Sequence, residues 1–171
     1  LVQGVEMEPR QVRTAADARA IVEERGANHV KVGAFDIDGI MRGKYISRDK
    51  FLSSLDGGFG FCDVVLGWDC QDQLYDNVKY TGWHTGYPDA PVRLLPDTCR
   101  LLPFEDNGLF FLGEFSPPGE AVCPRGLLRR VLERGRAMGF EAYVGFEYEF
   151  FVFKETPESV REKNYRGLTP M

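Results

Sequence analysis

The sequence predicts an α+β protein built in two parts. Three observations carry that reading. A Val-bearing alternating run doubles back at an Asp-Gly pair, short extended segments follow between 92 and 115, and a regular amphipathic helix then gives way to an aromatic strand.

The first predicted element is a helix opening at Thr14-Ala-Ala-Asp17, where a threonine hydroxyl can cap early backbone amides and an acid three residues on answers it. Ala16, Ala20 and Ile21 offer its apolar face and Gly26 its stop. His29 to Phe35 alternates as a strand does. After Asp36-Ile-Asp-Gly39 a second extended run, Lys44-Tyr-Ile46, completes a hairpin whose turn suits the left-handed tolerance of Asp-Gly. Ser47 to Leu55 then has Phe51, Leu52 and Leu55 on one helical face, ended by Gly57-Gly58.

From Phe59 to Pro91 the chain is rich in Gly, Asp, Tyr and Trp and shows little period, so a long irregular excursion is expected, a kind of segment that often carries function. Val92 to Leu95, Arg100 to Leu102 and Leu109 to Phe115 read as further strands, separated by Pro96, Pro103 and Asn107-Gly108. Ser116-Pro-Pro-Gly119 is the expected linker, giving domains at 1–115 and 116–171. Pro124 suits a first helical turn, and Leu127, Leu128, Val131 and Leu132 recur at helical spacing up to Gly139. Glu141 to Phe153 is then predicted as a strand, with Phe150, Phe151 and Phe153 in a core.

Composition narrows the function classes. Twenty-one Lys and Arg against 26 Asp and Glu leave a net charge of −5, which supplies no field for a nucleic-acid backbone. No stretch is apolar enough to span a bilayer, and Leu1 to Gln11 lacks a secretory leader pattern. Cys62, Cys70, Cys99 and Cys123 lie far apart without metal-site spacing, so reduced thiols in a cytoplasmic protein are expected.

The chemistry concentrates in Gly145-Phe-Glu-Tyr-Glu-Phe-Phe-Val-Phe153. Residues two apart on a strand point the same way, so Glu147 and Glu149 would emerge together, alongside Tyr143, Phe151 and Phe153. Like charges on an aromatic face raise one another's pKa and lose hydration, which calls for a cation, and hard divalent ions take carboxylate oxygens. The alternative is a solvated edge strand whose acids discourage aggregation.

In context this segment resembles the glutamine synthetase family. The resemblance is carried by Cys123-Pro-Arg125 before the helix and by the Gly-x-Glu-x-Glu-Phe-Phe-x-Phe form of 145–153. It is carried too by Tyr87-Pro-Asp89, Leu95-Pro-Asp97-Thr98 and Leu102-Pro103, and by Asp38-Gly39 with Arg42-Gly43-Lys44 in the hairpin. It implies a β-grasp-like amino-terminal domain followed by the start of a catalytic domain, so that Met171 would not be a natural end and the piece alone would be inactive. It further implies ATP-dependent ligation of ammonia or an amine to the glutamate side chain through an acyl phosphate, with Mg2+ or Mn2+ held by Glu147 and Glu149. A homo-oligomeric ring is implied as well, in which an amino-terminal loop reaches the neighbouring active site. Phe61-Cys-Asp63 to Gly67-Trp68-Asp69 stands where that loop should be, with Asp63 the first candidate for its ammonium-site acid and Asp69 the second. The Asp-Gly-Ser-Ser run common in the family is absent, which favours polyamines or other alkylamines as substrates.

Two rival readings remain. Ala34-Phe-Asp-Ile-Asp-Gly39 also resembles the first motif of haloacid dehalogenase-type phosphatases, with Asp36 as nucleophile and Asp38 as acid/base. Alternatively, Trp68, Trp83 and Tyr87 could anchor a partner of a noncatalytic binding module. Arg125 and Arg129 could meet phosphate, but beside Glu133 they read as a solvated helix face.

Overall fold

A computed structural model describes residues 7–171; the first six, part of the segment read as lacking a leader, lie outside the described residues. The chain forms two compact units, one running to Gly139 and one comprising Phe140–Met171.

The first unit is organised by five strands: β1 (His29–Phe35), β2 (Met41–Ser47), β3 (Phe59–Cys62), β4 (Asp89–Leu101) and β5 (Leu109–Phe115). Their order in the sheet is β2-β1-β5-β4-β3. β1 pairs antiparallel with β2, from His29 opposite Ser47 to Phe35 opposite Met41, and parallel with β5, with Val32 opposite Phe111. β4 runs antiparallel to both β5 and β3. The sheet curls until its edge strands meet. Lys44 of β2 donates to the Gly60 carbonyl of β3 at 3.1 Å, its ammonium over the Phe61 ring.

The hairpin and both early helices form as the sequence predicts. Helix α1 (Ala15–Glu24) opens on a reciprocal cap, in which the Asp17 amide donates to Thr14 Oγ1 and the Thr14 amide to the Asp17 carboxylate. Its buried face is Ala18, Ile21 and Val22, while Ala16 and Ala20 face solvent; the apolar stripe is rotated from the expected one. Helix α2 (Arg48–Gly57) is capped by Ser47 and stops where Gly58 takes a φ of 70°. A Cβ at Gly58 would also meet the Val92 carbonyl oxygen at 2.5 Å, so glycine is required there twice over. Phe51 of α2 packs on Phe111 of β5 with ring centroids 4.7 Å apart, at the centre of a core that includes Ile21, Val30, Val32, Val92, Leu109 and Phe115.

The two strands expected around Pro96 are one. β4 continues through the proline by a register shift between Leu95 and Arg100. Within that irregularity Thr98 Oγ1 donates to the Leu95 carbonyl and accepts the Leu112 amide at 2.8 Å, so a side chain takes over where the ladder breaks. β3 was hidden in the region read as irregular; it is four residues long, too short for its alternation to stand out. Helix α3 (Pro124–Ala137) follows the Pro-Pro segment as expected, with Leu127, Leu128 and Val131 more than half exposed.

The second unit departs most from expectation. The strand predicted over 141–153 does not form: residues 140–152 have no regular secondary structure. The stretch is paired only at its end among the described residues, where Phe153 bridges Pro170, the Met171 amide donates to the Val152 carbonyl and the Lys154 amide to the Thr169 carbonyl. A strand exists only as a rung of a ladder, and nothing described pairs with 141–151. Phe150 and Phe151, expected in a core, are 78% and 88% exposed, and Phe153 is exposed as well. A short helix, α4 (Pro157–Glu162), not apparent in the sequence pattern, is capped by Thr156.

Candidate functional site

The acids singled out in the sequence fall in three places: the hairpin turn, the excursion and the second unit. Asp63 and Asp69 line the excursion that leaves β3 and returns to β4. Its base is closed by the Asp63 amide donating to the Pro88 carbonyl at 3.0 Å. Asp63 opens a 3-10 turn, Asp63–Leu66, and its carboxylate is buried, accepting a 2.6 Å hydrogen bond from the buried Thr81 hydroxyl. Burial, and after it the nearby Asp63 charge, push the Tyr80 phenol upward. Gly67 is required by the same junction, since a Cβ would lie 2.7 Å from Thr81 Cγ2. Asp63 is thus held in one place by residues of the same unit.

Asp69 lies in a smaller loop inside the excursion. The Asp69 amide donates to the Gln73 carbonyl and the Tyr75 amide to the Gly67 carbonyl. Asp69 Oδ1 accepts the amides of Gln71 and Gln73 at 2.8 and 2.9 Å, the geometry of an Asx turn. Trp83 stands 82% exposed, edge-on to Tyr87, while His84 contacts the Lys79 carbonyl through its ring nitrogen at 3.2 Å.

Asp36, the nucleophile of the phosphatase-like reading, is fully buried at the hairpin turn. Its Oδ1 accepts the Asp38 and Ile40 amides, and its Oδ2 accepts Nε of Arg42 at 2.8 Å. With one oxygen taken by two turn amides and the other by Arg42, this carboxylate holds a turn together and has neither oxygen to offer a substrate. Arg42 and Thr81 were not singled out as interacting residues, because their partners are distant in sequence and no spacing announces them.

Glu114 was missed for the same reason. Buried at the end of β5, it accepts Arg93 Nη2 at 2.6 Å and faces Arg129 Nε at 3.5 Å. Arg129 also pairs with Glu120 and Glu133, and the Glu120 contact first among these raises its guanidinium pKa. Arg129 is therefore an ion-pair hub between α3 and β5, neither free for phosphate nor simply solvated. A cleft of about 580 Å3 lined by His29, Tyr45, Glu105 and Asp106 holds none of the predicted site residues.

In the second unit Glu147 and Glu149 are exposed. Alternation that would aim both one way belongs to a strand, and the described residues do not form it there. Carboxylate oxygens suit a hard divalent ion, so the donor chemistry fits Mg2+ or Mn2+. Two acids are only part of a shell, and among the described residues no group of three His, Cys, Asp or Glu is placed to hold a metal. Further along the unit, Glu155 is held by the Lys163 ammonium first, then the Ser159 hydroxyl and the Thr169 amide, which keep its pKa down at about 2.

The family described as glutamine synthetase, catalytic domain, matches residues 121–170. Over 145 residues the chain is 43% identical to type-1 glutamine synthetase 2 of Dictyostelium discoideum, covering 83% of this chain and 28% of that protein. It is 32% identical over 160 residues to a glutamate–isopropylamine ligase of a Pseudomonas species, covering 90% and 34%. It is 34% identical over 158 residues to a gamma-glutamylethanolamide synthetase of Streptomyces coelicolor, again covering 90% and 34%. The chain therefore spans about a third of the length of these relatives. Among solved structures, Plasmodium falciparum glutamine synthetase superposes with a TM-score of 0.55 at 15% identity, covering 78% of this chain and 24% of that one. The GmaS–ADP complex gives 0.52 at 17%, covering 71% and 26%. The architecture is thus of the glutamine synthetase type. The chain belongs to the glutamine synthetase family.

Proposed function

We propose that the protein to which this chain belongs ligates ammonia or an amine to the side-chain carboxylate of glutamate, using ATP and passing through an acyl phosphate. The observation that carries this reading is the family match over 121–170, which encloses the Glu147–Glu149 pair, together with relatives named for ligating glutamate to amines. On this reading residues 1–115 are a β-grasp-like amino-terminal domain and 116–171 open the catalytic domain, within a homo-oligomeric ring in the cytoplasm.

Glu147 and Glu149 would hold Mg2+ or Mn2+. When bound, such ions neutralise the repulsion between phosphate and carboxylate oxygens as these approach. The chain's own contribution is to bring two hard anionic ligands together once 141–153 gains a neighbouring strand. Asp63, fixed by Thr81, is the proposed acid of the amine site, and Asp69 is the second candidate. Isopropylamine and ethanolamine, named in the relatives, make a small alkylamine the preferred nucleophile over ammonia.

The test is an assay of the full-length protein for ADP release dependent on glutamate and on each of ammonia, isopropylamine, ethanolamine and a polyamine. Glutamate-dependent turnover with at least one amine, lowered on the order of 10²-fold in Glu147→Gln, is expected. No turnover with any of them, or full turnover in Glu147→Gln, overturns the proposal.

A further inference from the structure

Arg42 has more partners than a hairpin residue needs. It leaves β2 one residue after the turn, and its guanidinium is engaged on every side. Nε donates to Asp36 Oδ2 at 2.8 Å, Nη1 meets Asp72 Oδ1 at 2.7 Å, Nη2 donates to the Asp69 carbonyl at 3.4 Å, and the group lies 5.1 Å from the centre of the Trp68 ring. One of these contacts belongs to the hairpin. The other three belong to the loop 67–75.

The two sides are held in different ways. Asp36 is fully buried and pinned by the Asp38 and Ile40 amides, and the hairpin turn is tied to the 3-10 turn by the Ile37 amide donating to the Val65 carbonyl. The loop beyond it is closed by its own short-range bonds and rests on the core through the half-buried Trp68, and it carries Asp72 at a φ of 63°, a backbone setting that non-glycine residues seldom adopt. Such a segment sits at the low-stability end of a fold unless something outside it holds it. A planar fork with donors on three edges and a stacking face can do so, whereas a lysine ammonium cannot span the same partners.

We propose that Arg42 is a positioning residue that clamps the 67–75 loop onto the hairpin and thereby sets where Trp68 and Asp69, the second candidate acid of the amine site, stand. The role at the amine site rests on the ligase reading above; the clamp does not.

The test uses the full-length protein with Arg42→Lys, and with Asp72→Asn as a variant that leaves the buried Asp36–Arg42 pair intact. Asn tolerates the left-handed backbone and replaces the ion pair by at most a neutral hydrogen bond. Amide exchange at Asp69, Asp72 and Tyr75 is expected to quicken about tenfold in Arg42→Lys and about threefold in Asp72→Asn, with the β1 amides unchanged. In the active enzyme the KM for the amine should rise about tenfold in Arg42→Lys, with the KM values for ATP and glutamate within about twofold of the parent. Unchanged loop exchange in both variants overturns the clamp, whatever the activity. Faster exchange with an unaltered amine KM overturns the amine-site role and upholds the clamp. A parent protein without amine-dependent turnover overturns the ligase reading and the amine-site role together, and the exchange data still decide the clamp.

Discussion

The hairpin sheet of the first unit and the 140–153 segment of the second are both rich in apolar and β-branched or aromatic residues, yet only one of them is built. In β1 and β5 every rung has a partner, and Val32 and Phe111 are sealed beneath α2. In 140–153 the aromatic residues are as dense, but among the described residues nothing pairs with 141–151 and the aromatic side chains are exposed. Hydrophobic pattern specifies what a segment can bury. Whether it becomes a strand depends on who hydrogen-bonds to it.

The largest effects that sharpen this contrast should come from the first unit. Phe111→Ala empties the contact with Phe51, and a fully buried phenylalanine truncated in this way costs about 3–5 kcal/mol. Asp36→Ala, which takes the acceptor from two turn amides and from Arg42 Nε while Arg42 keeps its loop partners, is expected to cost less, about 1–3 kcal/mol. Urea denaturation of each variant measures both. Losses under about 1 kcal/mol would mean that this core is not the stabilising part of the molecule. Thr14→Ala removes a reciprocal helix cap and should cost about 1 kcal/mol in the same experiment.

Smaller still is the expected effect of Phe151→Ala, which in the 171-residue chain should stay within about 0.5 kcal/mol because the ring is 88% exposed. In the full-length protein the same substitution should cost about 3–5 kcal/mol if a neighbouring strand covers the segment. Equal costs in both would break the contrast.

Glu155 gives a pH handle on the second unit. Its folded pKa, at about 2, lies below the ordinary 4.5, so its contribution is present above about pH 4.5 and is lost as pH falls toward 2. Exchange at the Lys154 and Tyr165 amides should therefore accelerate through that window and not above it. Lys163→Met should move its onset to higher pH.

Much of the first unit could be read from residues alone, and the reason is local. The Thr14–Asp17 cap, the Asp38-Gly39 turn and the Gly57-Gly58 stop each act within four residues, so spacing reveals them. What escaped is non-local: Thr98 standing in for a ladder partner fourteen residues away, Thr81 on Asp63, Arg42 between hairpin and loop, Glu114 beneath Arg93 and Arg129. The candidate site divides in the same way. The Glu147–Glu149 pair was visible as a pattern, but its strand geometry was inferred from alternation that the described residues do not adopt. For Asp63 and Asp69 the sequence could not separate a site acid from a turn acid, since both uses favour Asp in a glycine-rich loop.

On the proposed function, Glu147 and Glu149 grip divalent cations once their strand is paired. Manganese binding to the full-length protein, followed by electron paramagnetic resonance in the parent and in Glu147→Gln/Glu149→Gln, tests it most directly. The account predicts loss of at least one tightly bound Mn2+ per chain in the double variant, together with a fall in ligation on the order of 10²-fold. Parent-like binding with undiminished ligation would contradict it.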